Sequence, residues 1–217
     1  MLKLVFAQPA ERSLRILCLG AHCDDIEIGA GGAIMRLLAA HPGSEICWVV
    51  CASNPVRKLE AESSVRAVCA DAGNLTTVIA DLPENVLPQH VPEVRELLDR
   101  HARPFQPDIV FCPHRDDLHQ DHRLLAEMAL QFFRDHPIFE YEIVKYDGDL
   151  HTPNVYVEID DALAARKVDL LYEHFPTQQS RTWFDREAFF GLMRLRGIEC
   201  NARYAEGFHV HKTLIGG

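Results

Sequence analysis

The sequence predicts an α/β fold with a mostly parallel sheet covered by helices on both faces. Three observations lead there. The runs at residues 14–19 (LRILCL), 46–51 (ICWVVC) and 108–112 (DIVFC) are apolar without alternation, as strands buried on both faces must be. Segments with helical spacing separate them, and the order of the two patterns alternates regularly along the chain. With 217 residues, 47% hydrophobic and 25% charged, the chain is long enough to bury a full core, and a single domain over residues 1–217 is expected.

The elements follow in order. The strand at 14–19 closes at Gly20 and Ala21, and residues 29–40 carry helical spacing up to His41, Pro42 and Gly43. After the strand at 46–51, Pro55 opens a helix, since its missing N–H costs nothing in a first turn, and Gly73 stops it. A strand at 75–79, a helix at 91–101, the strand at 108–112 and a helix from about 121 to 134 complete the regular part. Beyond Pro137 the pattern loosens into strands at 139–146 and 154–159, helices at 161–174 and 186–195, and a last strand at 203–210. No linker or repeat sets this less regular part, from about 137, apart from the rest.

Composition narrows the function. A formal charge of −10 with no long basic run argues against a nucleic-acid or anionic-membrane surface and for a small-molecule partner. The seven cysteines are odd in number and form no CxxC pair, so reduced thiols and a cytoplasmic protein are expected. Residues 1–9 lack the features of an export signal, and no run is long enough to span a membrane. Homo-oligomerisation is left open. Twelve histidines are the one unusual feature.

Histidine and aspartate concentrate directly after two of the predicted strands, as Ala21-His22-Cys23-Asp24-Asp25 and as Asp116-Asp117-Leu118-His119-Gln120-Asp121-His122. In a doubly wound sheet the first strand and the one opening the second half lie side by side, and ligands bind beyond their carboxyl ends. Segments almost a hundred residues apart would then meet. Two imidazoles and a carboxylate suit Zn²⁺ with one position left for water, which gives His22, Asp25 and His122 as ligands. Asp24 beside them can take the proton of the water. His119 can face the same cavity and donate to an oxyanion. Asp117 and Asp121 are left to orient imidazoles, with His119 expected to be protonated through a carboxylate such as Asp121. Solvated loop residues and helix caps are the plainer alternative for each position taken singly.

At these residues the sequence resembles the PIG-L/LmbE family of zinc-dependent de-N-acetylases. The family's A-H-P-D-D-x-x-x-G-x-G-G stands here as AHCDDIEIGAGG, and its D-x-H-x-D-H as Asp117-Leu118-His119-Gln120-Asp121-His122. The resemblance implies a Rossmann-like fold and the same roles: zinc at His22, Asp25 and His122, a base at Asp24, and an acid or electrophile at His119. It implies removal of acetate from an N-acetylated amino sugar as the reaction. The family's Arg-x-x-Glu appears as Arg57 and Glu60, where Arg57 would hold a substrate oxygen. Cys23 replaces the usual proline. It removes a fixed φ between ligands without removing a ligand, and a thiolate role for it lacks a partner cysteine.

Other readings stand beside this one. Gly29, Gly31 and Gly32 invite comparison with a phosphate-cradling loop, but a dinucleotide fingerprint places its glycines immediately after the strand, where this chain has acids. The glycines are expected to allow close packing instead. A metal-dependent hydrolase of another bond, such as a phosphoester, would use the same ligands, though no basic cluster awaits a phosphate. His209 and His211 share one face of the last strand, and one of them can reach the site. Trp183 and Phe184 are read as core, with a sugar-stacking wall as the alternative.

Overall fold

The computed structural model describes residues 13–214. Residues 1–9, where an export signal was sought, lie outside that range.

Seven strands form one sheet in the order β3-β2-β1-β4-β5-β7-β6. They are β1 (Arg15–Gly20), β2 (Glu45–Ala52), β3 (Asn74–Leu82), β4 (Ile109–Pro113), β5 (Ile138–Tyr141), β6 (Val155–Ile159) and β7 (Tyr204–Val210). The first five are parallel, with Cys18 opposite Trp48 on one side and Phe111 on the other. β7 runs antiparallel to both β5 and β6, which accounts for the looser pattern after residue 137. The helices are α1 (Asp25–Ala40), α2 (Pro55–Val68), α3 (Val91–Leu97), α4 (Gln120–Phe132), α5 (Asp161–His174) and α6 (Arg186–Cys200).

Alternate residues of the central strands feed two cores. Ile16, Cys18, Trp48, Val50 and Phe111 face Ile34 of α1, Val65 of α2 and Leu171 of α5. Leu17, Leu19, Cys47, Val49, Val110 and Cys112 face Val94 of α3 and Leu125 of α4. A strand between two dry layers has no polar side, hence the unbroken apolar runs. No helix among the described residues is long and apolar enough to cross a membrane.

The boundaries differ from expectation where polar residues are buried. α1 starts at Asp25 rather than 29, because its first turn is made of Asp25 and Glu27, both under 5% exposed, and acids in a helical turn carry no apolar periodicity. Asn54 caps α2 by accepting from the N–H groups of Val56 and Arg57. That helix ends at Val68, before Gly73, whose role is different. A Cβ at Gly73 would lie 2.6 Å from the Gly43 carbonyl oxygen, so the position serves a backbone crossing at the start of β3. β5 stops at Tyr141, and the apolar residues that extend the predicted strand to 146 include Ile143, buried in a loop.

α1 is anchored to the sheet by groups that fix its height over the site. A Cβ at Gly29 would meet the Tyr141 ring at 2.3 Å, and the Tyr141 hydroxyl donates to the Leu19 carbonyl at 2.7 Å. The buried Glu206 carboxylate of β7 accepts from the N–H groups of Gly32 (2.9 Å) and Ala33 (2.6 Å). Lys167 Nζ, from α5, bridges Glu206 and the Ile28 carbonyl, each at 2.6 Å. The glycine run thus brings the helix close to the strands.

Candidate active site

β1 and β4 are neighbours at the centre of the sheet, where the strand order reverses. Chain leaving β1 turns at His22 and enters α1, and chain leaving β4 turns through Asp117 and enters α4. The two acidic loops therefore meet above the crevice between these strands, the ordinary ligand position of such sheets.

His22, Asp25 and His122 face one another. His22 Nδ1 is 3.1 Å from His122 Nε2 and 3.5 Å from Asp25 Oδ2, and His122 Nε2 is 3.4 Å from Asp25 Oδ1. Ligand bonds of about 2.0–2.1 Å in a tetrahedron put neighbouring donor atoms roughly 3.3 Å apart, and these separations, with the two rings meeting different oxygens of Asp25, lie close to that value. The outer nitrogen of each ring meets a carboxylate: His22 Nε2 with Asp121 Oδ2 at 3.0 Å and His122 Nδ1 with Asp117 Oδ2 at 3.0 Å. Such carboxylates fix ring orientation and tautomer in metal-binding histidines.

The electrostatics agree. Burial pushes the His22 imidazolium down, but Asp25 and Asp121 outweigh it and raise its pKa to about 10. For His122 burial is likewise outweighed, by Asp25 and Asp117, giving about 9. Burial also acts on Asp25, yet His122 and His22 hold it well below the usual carboxylate range. This is a field that calls for cationic charge. Two facing nitrogens 3.1 Å apart leave no room for two protons between them, whereas one divalent ion satisfies both rings and the carboxylate.

His22, His119 and His122 also lie close enough for a three-histidine site, but the nitrogens of His119 are engaged elsewhere. Its Nδ1 accepts the Asp121 N–H at 3.2 Å and its Nε2 meets Asn85 Oδ1 at 3.1 Å. The carboxylate of Asp121 instead bonds His22 and the N–H groups of Asn85 and Leu87. The expected carboxylate bond from Asp121 to His119 is therefore not made, and burial, His122 and His22 lower the ring's pKa against the opposing pull of Asp121 and Asp25, in keeping with an Nδ1 that accepts an N–H.

Asp24 is 5% exposed. One oxygen, Oδ1, accepts from Arg57 Nη2 at 2.7 Å, while buried Oδ2 has no hydrogen-bond partner. Arg57 also lies 3.4 Å from Glu60, whose carboxylate accepts from the N–H (2.9 Å) and hydroxyl (2.7 Å) of Thr177. The sequence assigned Arg57 to a substrate oxygen, and the structure places it on Asp24. Burial raises the Asp24 pKa against the opposing pull of Arg57. With a neutral His119 and a raised Asp24, kcat/KM is expected to rise with pH through one limb, above the ordinary carboxylate range, and then level off. An alkaline limb that disappears in His119→Ala would show instead that His119 works protonated.

His209 sits apart from the three candidate ligands, in a group with His114 and Glu140. Arg115 occupies that carboxylate through its side chain and backbone N–H. His114 Nδ1 accepts the Asp116 N–H, which leaves its proton on Nε2. The Glu140 carboxylate thus already has a cation in Arg115, while His209 Nδ1 has no hydrogen-bond partner. Cys23 is packed away, its Sγ 3.7 Å from the Ala52 carbonyl, and burial pushes its thiol well up. Phe184 is core, against Phe189 and Tyr172.

Sequence reasoning missed three participants. Lys145 Nζ lies 3.1 Å from Asp117 and bonds Asp149, whose carboxylate also accepts the Leu118 N–H. Asn85 reaches His119 from the loop after β3. Asn85 has a left-handed φ of +67°, so Pro83-Glu84-Asn85 carried a turn signal but no sign of chemistry.

A family model described as GlcNAc-PI de-N-acetylase, PIG-L, matches residues 17–133. Among solved structures, the conserved protein TT1542 from Thermus thermophilus superposes with a TM-score of 0.72 at 20% identity, covering 94% of this chain and 97% of the other. The N,N'-diacetylchitobiose deacetylase from Pyrococcus horikoshii gives 0.67 at 21% identity, covering 91% and 84%. GalB, the 4-carboxy-2-hydroxymuconate hydratase from Pseudomonas putida, gives 0.71 at 15%, covering 94% and 99%. A deacetylase and a hydratase on one scaffold show that the fold alone does not select the reaction.

Proposed function

The chain belongs to the PIG-L family, and on that premise we propose that it is a zinc-dependent amidohydrolase releasing acetate from an N-acetylated amino sugar. The observation that carries the reading is the arrangement of His22, Asp25 and His122 at tetrahedral spacing, with the unpartnered Asp24 Oδ2 beside them. These three residues would hold the zinc ion, which when bound supplies Lewis-acid activation of water and of the acetamido carbonyl.

The protein's own groups do the rest. Asp24 Oδ2 accepts the proton of the attacking water, while Arg57 holds Oδ1 and with it the angle of the carboxylate. His119, neutral and protonated on Nε2, donates to the oxygen that becomes negative in the tetrahedral adduct. The proton held on Asp24 then passes to the departing amine, so acetate and a free amino sugar leave and the base is restored. A cytoplasmic location belongs to the same reading, supported by cysteines that form no disulfide.

The test is metal analysis followed by acetate assay on a panel of N-acetylhexosaminides that includes N,N'-diacetylchitobiose. About one zinc per chain and equal amounts of acetate and amine are expected. A folded, zinc-loaded protein that releases no acetate from any member would overturn the substrate class.

A further inference from the structure

We propose that Asn85 is a positioning residue that holds the ring of His119 through its Nε2–H, in the tautomer set by the Asp121 N–H; the consequence for turnover rests on the deacetylase reading above. The chemistry of the contacts fixes the protonation. The Asp121 N–H can only donate, so His119 Nδ1, 3.2 Å away, must present its lone pair. A neutral ring then carries its proton on Nε2. The partner of that Nε2–H, at 3.1 Å, is Asn85 Oδ1. The reversed amide would set an N–H₂ group against an N–H, so the orientation of the Asn85 side chain is fixed by the same argument.

The backbone supports this placement. Asn85 takes φ +67°, a region that asparagine tolerates better than most residues. That turn lets one residue contact the neighbouring loop three ways. Its N–H donates to Asp121 Oδ2 at 2.7 Å, its carbonyl accepts from Gln120 Nε2 at 2.8 Å, and its side chain meets His119. Asp121 Oδ2 is also the oxygen that orients His22. The loop after β3 therefore holds the metal side of the site through its backbone and the oxyanion side through the Asn85 side chain. An oxyanion is a stronger acceptor than an amide oxygen, so the Nε2–H held by Asn85 before reaction passes to the charge as it develops.

The two functions separate cleanly in Asn85→Gly. Glycine adopts the left-handed φ without strain and keeps the N–H bond to Asp121, so zinc content and melting temperature should stay at parent values. The proposal expects kcat to fall about 10-fold, with KM within about twofold, because a ring free to turn presents its Nε2–H to the developing charge less often. It also expects exchange of the His119 Nε2–H with solvent to quicken while the ring keeps its tautomer. The parent and Asn85→Asp, which keeps an acceptor oxygen, should show a single Nε2–H tautomer in mildly alkaline buffer. Asn85→Gly should keep that tautomer through the Asp121 N–H and exchange its Nε2–H with solvent faster than either. A parent ring protonated on Nδ1, unchanged exchange of the Nε2–H in Asn85→Gly, or parent-like kcat in that variant would each overturn the proposal. The spectra need no substrate, so they decide the tautomer even if the deacetylase reading fails.

Discussion

Asp24→Asn is expected to keep its zinc and lose about 10³-fold or more in kcat, within the range for removing a general base. The asymmetry of the Asp24 carboxylate sets this expectation. Arg57 can only donate, and it donates to Oδ1 at 2.7 Å, so an asparagine here turns its oxygen to Arg57 and its amide nitrogen to the position of Oδ2. The atom that should accept a proton becomes a donor. KM should change little, because the substituted side chain has the same volume and the substrate amide is held by other groups. Asp25→Asn should behave differently. Asp25 faces both His22 and His122, and a neutral amide there weakens the metal site itself. Activity measured at saturating zinc together with metal content separates the two variants. The same loss of metal in both would overturn the division of roles between these neighbours.

The order of strands and helices was legible because burial on both sides of a sheet leaves continuous apolar runs, as at Ile16 to Leu19 and Ile46 to Val50. The position of the site was legible for a related reason. His and Asp side chains packed immediately after such runs have no place in the core, and the topology of a doubly wound sheet brings the two acidic loops together. Partner choice was less legible. Asp121 bonds His22, 99 positions away in sequence, while the sequence-adjacent His119 receives only its backbone N–H. Spacing within a motif does not reveal which residue a carboxylate meets from another loop. Arg57 shows the same limit. Its place at the start of α2 was readable from Pro55, but its bond to Asp24 depends on the packing of α2 beside α1. Asn85 was missed because its loop carries only a turn signal, and Lys145 because the sequence reads it as the end of a strand at 139–146, whereas β5 stops at Tyr141.

His122→Ala is expected to abolish zinc binding and with it all measurable turnover. His122 supplies one of three candidate ligand atoms and is 2% exposed, so no solvent-side group can readily replace it. The variant also removes one ring that Asp25 and Asp117 each now face, leaving Asp25 with His22 and Asp117 with Lys145, and the loss of a partner from a buried carboxylate costs stability. Thermal melting with and without zinc reads both effects. At a free zinc concentration about 100-fold above the dissociation constant, binding stabilises the folded state by about 2.7 kcal/mol, or roughly 5–10 °C in a chain of this size. That rise should appear in the parent protein and in His119→Ala, and vanish in His122→Ala and His22→Ala. The pattern distinguishes the two possible ligand sets. If His22, His119 and His122 formed the metal site, His119→Ala would lose the zinc-induced rise and Asp25→Ala would keep it. The engaged nitrogens of His119 and the 3.4–3.5 Å approach of Asp25 to both rings predict the reverse.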